Sequence, residues 1–255
     1  MHSRHAWCRF RPVSNRIILV EPELPENVGF VARAMSCFGW SDLAFVGPPQ
    51  EKGSAAWRTA TLGKEILDAS TAHETLLSAF GSARTTIAFT RRPHQKGLID
   101  LPVLAERLPR LESPVALVFG RESIGLTSDE VLACDFACQI PTKHSTGSLN
   151  LGQAVAIGLS WLHDKPAYPA DIPKGAAVAS LREHWVRQTL EQSDALGLLH
   201  PSRREAGRRH LASLLRRLRP SREELRFLTS LLARLTRDRK ERNLTPGNQE
   251  RPPNP

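Results

Sequence analysis

An α/β fold with a mostly parallel sheet is predicted for this 255-residue chain on three observations. Short apolar runs rich in β-branched residues alternate with helical patterns through the first 165 residues, as βαβ units require. Polar loops, two of them glycine-bearing, follow three of those runs and precede a helix, the position at which such folds bind ligands. Beyond that point the alternation stops. The stretch HDKPAYPADIPKGAAVA is dense in proline and small residues, and the remainder of the chain is basic and helical.

Taken in order, residues 1–15 form an N-terminal arm, MHSRHAWCRFRPVSN, without periodicity. His2, His5 and Cys8 are metal-ligating types, but an incidental terminal arm accounts for them. Strands are expected at 16–21, 43–47, 85–89, 115–119 and 136–140, where apolar runs end in polar or glycine-bearing loops. Helices are expected at 27–38, 72–80, 102–108, 128–133 and 148–163. Thr71 with Glu74, and Thr127 with Glu130, have the spacing at which side chain and backbone cap one another. The resulting division is an α/β domain over 16–165, a linker over 166–179, a basic helical region over 180–242 and a disordered tail over 243–255.

In the helical region Ser202 with Glu205, and Ser221 with Glu224, repeat the capping signature ahead of two leucine-bearing segments. Leu211, Leu214, Leu215 and Leu218, then Leu225, Leu228, Leu232 and Leu235, fall at three-to-four spacing, which predicts paired helices packed leucine to leucine. Charge is concentrated here. Up to Lys165 there are 17 Lys+Arg against 16 Asp+Glu, whereas Pro166 onward carries 18 against 10, so nearly all of the net +9 is C-terminal. Most of these cations are arginines, whose planar fork grips phosphate and stacks on bases, so nucleic acid is the first partner to consider.

Other classes are bounded by what is missing from the sequence. No apolar run approaches the roughly 18 residues that span a bilayer, and the first residues lack a secretion-signal core, so a cytoplasmic protein is expected. Cys8, Cys37, Cys134 and Cys138 have neither CxxC spacing nor disulfide-scaffold density. There is no GxGxxG after the first strand and no GxxxxGK, which sets aside a nucleotide-dependent oxidoreductase. No His/Cys ligand spacing is present, and no metal is expected.

The three loop regions carry the chemistry. NVGFVARAM follows the first strand, VFGRESIGLT spans the end of the fourth, and IPTKHSTGSLNLGQAVAI spans the end of the fifth. In this order and at these separations they resemble the three motifs of the SPOUT-class RNA ribose 2′-O-methyltransferases, the TrmH-like family. The basic C-terminal region further resembles the TrmJ type, which methylates the ribose of nucleotide thirty-two in the tRNA anticodon loop. The resemblance covers about 16–163.

It implies an α/β domain closed by a C-terminal trefoil knot, S-adenosylmethionine bound at that knot, and a homodimer with RNA across both subunits. Knots depart from the usual topology rule. The positions implied for the cofactor are Gly120, Ile140, Gly147, Ser148 and Leu149, with Thr90, Arg91 and Arg92 on a neighbouring turn. Two departures stand out: Arg-Arg-Pro replaces small residues on that turn, and Gly147 stands where a second serine is common.

For the reaction, the resemblance assigns activation of the ribose hydroxyl to Arg33, with Asn27, Glu122, Ser148 and Asn150 as orienting neighbours. A protonated guanidinium has a pKa above about 12 and no acceptor, so a role in stabilising the developing alkoxide suits Arg33 better than general base. Local readings stand beside these. Arg33 could be a surface arginine, Glu122 could pair with Arg121, and Ser148 and Asn150 suit a helix N-terminus. The sequence therefore points to a tRNA ribose 2′-O-methyltransferase. Alternatives are an rRNA enzyme with the same core, or a noncatalytic RNA-binding protein.

Overall fold

A computed structural model of the chain describes residues 15–48, 54–91, 98–107, 111, 113–143, 148–162 and 177–244. These divide into two compact units, one running to 162 and including 178–180, the other comprising 177 and the residues from 181 onward.

The first unit is built on seven strands: β1 Arg16–Val20, β2 Asp42–Val46, β3 Thr71–His73, β4 Thr85–Phe89, β5 Leu98–Asp100, β6 Val115–Phe119 and β7 Phe136–Gln139. Their order is β3-β2-β1-β6-β4-β7-β5, and every neighbouring pair is parallel. The middle strands are buried on both faces, which is why they read as continuous apolar runs. Alternate side chains feed two cores. Ile17, Leu19, Ile87, Leu117 and Phe119 pack on one side with Val28, Val31, Met35, Val155 and Leu159, while Ile18, Val20, Ala88 and Val118 pack on the other with Phe80 and Val131.

Helices α1 Pro25–Cys37, α2 Ala55–Ala60, α3 Lys64–Asp68, α4 Leu76–Ala79, α5 Leu101–Arg107, α6 Ser128–Ala133 and α7 Leu151–Leu162 cover the sheet. Where the sequence predicted a helix over 72–80, the chain first adds the edge strand β3. The capping pair is then Thr75 with Ser78 rather than Thr71 with Glu74. A three-residue edge strand gives no alternation for the sequence to show. The Thr127–Glu130 box forms as expected, with Thr127 N–H donating to Glu130 at 2.7 Å and Glu130 N–H to Thr127 Oγ1 at 3.2 Å. The expected first strand ends one residue early because Glu21 turns to a positive φ of 44°. The short β5, α2 and α3 are additions to the expected elements.

Close backbone contact fixes α1 against its neighbours. A Cβ on Gly29 would strike Thr59 Oγ1 and the Ala56 carbonyl, and would sit 2.9 Å from the Ala60 backbone nitrogen. Glycine is therefore what lets α2 approach α1 so closely.

The second unit holds α8 Ala179–Ala195, of which the first two residues group with the first unit, then a single 3₁₀ turn Pro201–Arg203, α9 Arg204–Leu218 and α10 Arg222–Leu244. Its core joins Trp185, Val186 and Leu190 of α8 to Leu215 of α9 and Leu225 of α10. The expected pair of helices is thus a trio, and the leucine faces are only partly used: Leu218 and Leu235 remain exposed. Ser202 lies inside the 3₁₀ turn capped by His200, so it does not cap α9 with Glu205, whereas Ser221 and Glu224 do form their reciprocal pair. An ion pair, Arg208 Nη2 to Glu183 Oε1 at 2.6 Å, ties α9 to α8 beside this core. Residues 1–14 of the arm, most of the linker and the tail from 245 lie outside the described residues.

Gly29→Ala is expected to destabilise the protein by about 2 kcal/mol in urea unfolding, because the clash with the α2 backbone outweighs the roughly 1 kcal/mol of helix propensity gained. Unchanged stability would show that α1 and α2 are not held this closely.

Candidate functional site

Parallel strands place all their carboxyl ends on one edge of the sheet, and the order β1-β6-β4-β7 makes four of those ends adjacent. The loops that leave them are where the three sequence motifs lie.

The loop after β1 leads into α1 with Pro25 in the first turn, and Leu24 at its start offers no capping side chain. Instead, a carboxylate from the loop after the neighbouring strand β6 holds the backbone just ahead of the helix. Glu122 accepts the backbone N–H of Glu23 at 2.8 Å and of Leu24 at 3.3 Å, which places negative charge at the positive end of α1. Glu122 Oε1 also accepts Asn27 Nδ2 at 2.8 Å, and Asn27 Oδ1 accepts Asn150 Nδ2 at 2.7 Å. Asn150 then caps α7, its Oδ1 taking the Gly152 N–H at 2.9 Å. Asn27 is only 4% exposed, so its amide needs both partners.

Arg121 does not pair with its neighbour Glu122 in this arrangement. Its guanidinium bridges Glu21 at 2.8 Å and both oxygens of Glu130 at 3.1 Å, and it reaches the Gly125 carbonyl at 3.4 Å. Hydrogen bonds to Glu21 and Glu130 hold the Arg121 pKa above its ordinary value. Burial alone would raise the Glu130 carboxyl, but the hydrogen bonds from Arg121 and the Thr127 backbone outweigh it and lower its pKa. This fork shapes the loop after β6, which turns back so that Gly125 N–H meets the Arg121 carbonyl at 2.8 Å. The turn is tight at Gly120, where a Cβ would strike Gly125 and the Leu126 nitrogen.

Beside the loop lies a cavity of about 410 Å³. Thr90, Arg91, Gly120, Ile140, Ser148 and Leu149 all line it, as does Glu122. Phe89 and Phe119, stacked with ring centroids 4.4 Å apart and planes 18° apart, form an apolar wall. Asn27 and Asn150 stand behind Glu122 rather than on the wall. Arg33 is exposed on α1, almost two turns beyond Asn27, and is not among the lining residues. Arg92 and Gly147 lie outside the described residues.

Several residues of this region escaped the sequence reading: Glu21, Glu23, Ser123 and Glu130 as loop partners, and the two stacked phenylalanines. Only the Thr127–Glu130 spacing left a sequence signal, and that signal spoke of a helix cap. Among the described residues no group of His, Cys, Asp and Glu could hold a metal ion, and no helix is long and apolar enough to cross a membrane. Burial, with Asp100 adding to it, pushes the Cys138 thiol up to about 12, so it stays protonated and inert.

Comparison with known proteins places this geometry. Residues 14–160 match the SpoU rRNA Methylase family. The tRNA (cytidine/uridine/adenosine-2′-O-)-methyltransferase TrmJ of Pseudomonas aeruginosa (strain UCBPP-PA14) is 33% identical over 225 residues, covering 80% of this chain and 84% of that one. The tRNA (cytidine/uridine-2′-O-)-methyltransferase TrmJ of Sodalis glossinidius (strain morsitans) is 29% identical over 239 residues, covering 88% and 92%. Among solved structures, TrmJ from Z. mobilis ZM4 superposes with a TM-score of 0.73 at 27% identity, covering 87% of this chain and 98% of that one. With more than half of its length matched by the family, and with relatives of TrmJ type that align along most of both chains, the chain belongs to the SpoU methylase family and, within it, to the TrmJ type.

Proposed function

We propose that this protein is an S-adenosylmethionine-dependent tRNA ribose 2′-O-methyltransferase, acting on a cytidine or uridine at nucleotide thirty-two of the anticodon loop in the cytoplasm. The observation that carries the reading is the cavity at the strand ends, with Glu122 on its wall and Asn27 and Asn150 joined to it from behind. Family membership and relatives with tRNA 2′-O-methyltransferase names support it. The same membership supports a trefoil threading of the segment that includes β7 and α7.

The residues present fit the cofactor. About 410 Å³ matches the scale of a small-molecule site, and the stacked Phe89 and Phe119 offer an apolar wall suited to a purine nucleoside. Gly120 and the backbone of the following loop, Ile140, Ser148 and Leu149 would hold it, with Thr90 and Arg91 at the side. Arg92 and Gly147 belong to the same proposed set. When bound, the cofactor supplies an electrophilic methyl on sulfonium.

The protein's own part is alignment and charge. Orienting two reactants can be worth roughly 7–11 kcal/mol in the best cases. Glu122 fixes the start of α1 and Asn27 links it to Asn150, so the two loops and the α7 N-terminus hold one spacing. Arg33 is exposed and off the wall of the cavity, which supports a role toward RNA rather than toward the cofactor. Its charge would stabilise the developing ribose alkoxide and hold the adjacent phosphate, with the proton leaving to a phosphate oxygen, water or Ser148. An Arg33 on the outer side of α1 also suits a homodimer in which RNA lies across both subunits. The basic second unit would supply further phosphate contacts.

Incubation with methyl-labelled cofactor and, in parallel, total tRNA and ribosomal RNA is expected to label tRNA, with the label mapping to a 2′-oxygen at nucleotide thirty-two. Label in ribosomal RNA alone would overturn the tRNA assignment, and no label in either would favour a noncatalytic RNA-binding protein.

Arg33→Lys keeps the charge and loses the fork, so kcat at saturating substrates should fall at least about tenfold; near-normal kcat would remove Arg33 from the reaction. Replacing the exposed Arg226, Arg234 and Arg237 of α10 by Ala should weaken tRNA binding and reduce the slope of log K against log salt by about 2–3, while binding of S-adenosylhomocysteine stays unchanged. An unaltered salt slope would take RNA away from α10.

A further inference from the structure

Three consecutive residues of the loop after β6 are each fastened to the loop after β1. Arg121 Nε donates to Glu21 Oε2 at 2.8 Å. The Glu122 carboxylate takes the N–H groups of Glu23 and Leu24. Ser123 donates its backbone N–H to Glu23 Oε2 at 3.0 Å and its hydroxyl to Glu23 Oε1. Glu122 and Glu23 are thus exchanged, each carboxylate holding the backbone of the other's loop. Almost 100 residues separate the partners, and they meet because β1 and β6 run side by side, with Leu19 opposite Phe119.

Both ends of this clasp lead to the site. On one side, every residue from Phe119 to Leu126 lines the cavity. On the other, Leu24 is followed at once by α1, which bears Asn27 and then Arg33. The clasp gathers three carboxylates, Glu21, Glu23 and Glu122, around the loop that carries Arg121. Glu23 and Ser123 are exposed, and a water-exposed pair of this kind adds little to global stability. Its consequence is local, in where one loop sits relative to the other.

We propose that Glu23 and Ser123 are positioning residues that couple filling of the cavity to the setting of α1, so that cofactor and RNA are bound cooperatively. This rests on the cofactor reading given above. A ligand in contact with the backbone of 120–126 fixes that loop; Ser123 then holds Glu23, and through Glu23 and Leu24 the first turn of α1 is set. The coupling is reciprocal, so RNA engaging the outer side of α1 tightens the cofactor by the same factor. Glu122 and Asn27 hold the two loops in register, while the Glu23–Ser123 pair limits how far they part.

The test compares full-length wild type, Ser123→Ala, Glu23→Ala, the double variant and Ser123→Thr. The first measurement needs no ligand. Amide hydrogen exchange at Glu23 and Leu24 should speed up at least about threefold in Ser123→Ala and return to the wild-type rate in Ser123→Thr, with melting temperature shifted by no more than about 2 °C. The second is the dissociation constant of S-adenosylhomocysteine with and without tRNA. The wild type should bind it about tenfold more tightly with tRNA present. Each alanine variant should retain about a twofold effect, and the double variant should be no worse than either single. Unchanged exchange in Ser123→Ala, full coupling in both alanine variants, or additive losses in the double variant would each overturn the proposal. If the wild type fails to bind S-adenosylhomocysteine at all, the cofactor reading and the coupling built on it both fall, while the exchange measurement still decides whether the clasp holds the loops.

Discussion

A buried amide on the first turn of α1 is the constraint on which the rest of the site depends. Asn27 is shielded from bulk solvent, so its donor must find Glu122 and its acceptor must find Asn150. Each partner comes from a different strand end. Satisfying one side chain therefore fixes the loop after β1, the loop after β6 and the start of α7 at a single mutual distance. Hydrogen bonds in such a chain polarise one another, and loss of Glu122 or Asn150 leaves one side of the buried Asn27 amide unpaired.

That constraint can operate only because the backbone brings the three segments close. Gly29 lets α2 lie on α1, and a Cβ on Gly152 would stand 2.7 Å from Phe30 Cβ, so α1 is pressed between α2 and α7. Gly120 allows the loop after β6 to fold back on itself, opening the cavity on one side and presenting Arg121 to Glu21 and Glu130 on the other. Carboxylates crowd this corner, and the arrangement works because nearly every oxygen has an N–H, hydroxyl or guanidinium donor of its own. The price is a site whose loops depend on one another.

Five of the seven strands were legible: β1, β2, β4 and β6 are buried on both faces and so continuously apolar, and β7, only partly buried, still ends an apolar run. β3 and β5 were not, since three residues at or near a sheet edge leave no pattern, and at Thr71 a capping spacing argued for helix instead. Capping boxes proved reliable where a helix begins directly after the serine or threonine, as at Thr127 and Ser221, and failed at Ser202 where a 3₁₀ turn intervenes. In the second unit the leucine periodicity found α9 and α10. It passed over α8, whose contribution to the core is one tryptophan, one valine and two leucines spread through a polar sequence.

Sequence by itself determined the α/β class, the three motif loops and the segregation of positive charge to the C-terminal region, because apolar period, glycine placement and composition are local properties of the chain. Arg121 and Glu122 show what it could not determine. Adjacent in sequence, they allow an ion pair as one reading, yet one turns to Glu21 and Glu130 while the other holds the lead-in to α1 and Asn27. Only the pairing of β1 with β6 decided this, since hydrogen-bond partners about 100 positions apart are chosen by the register of a folded sheet and leave no trace in local spacing.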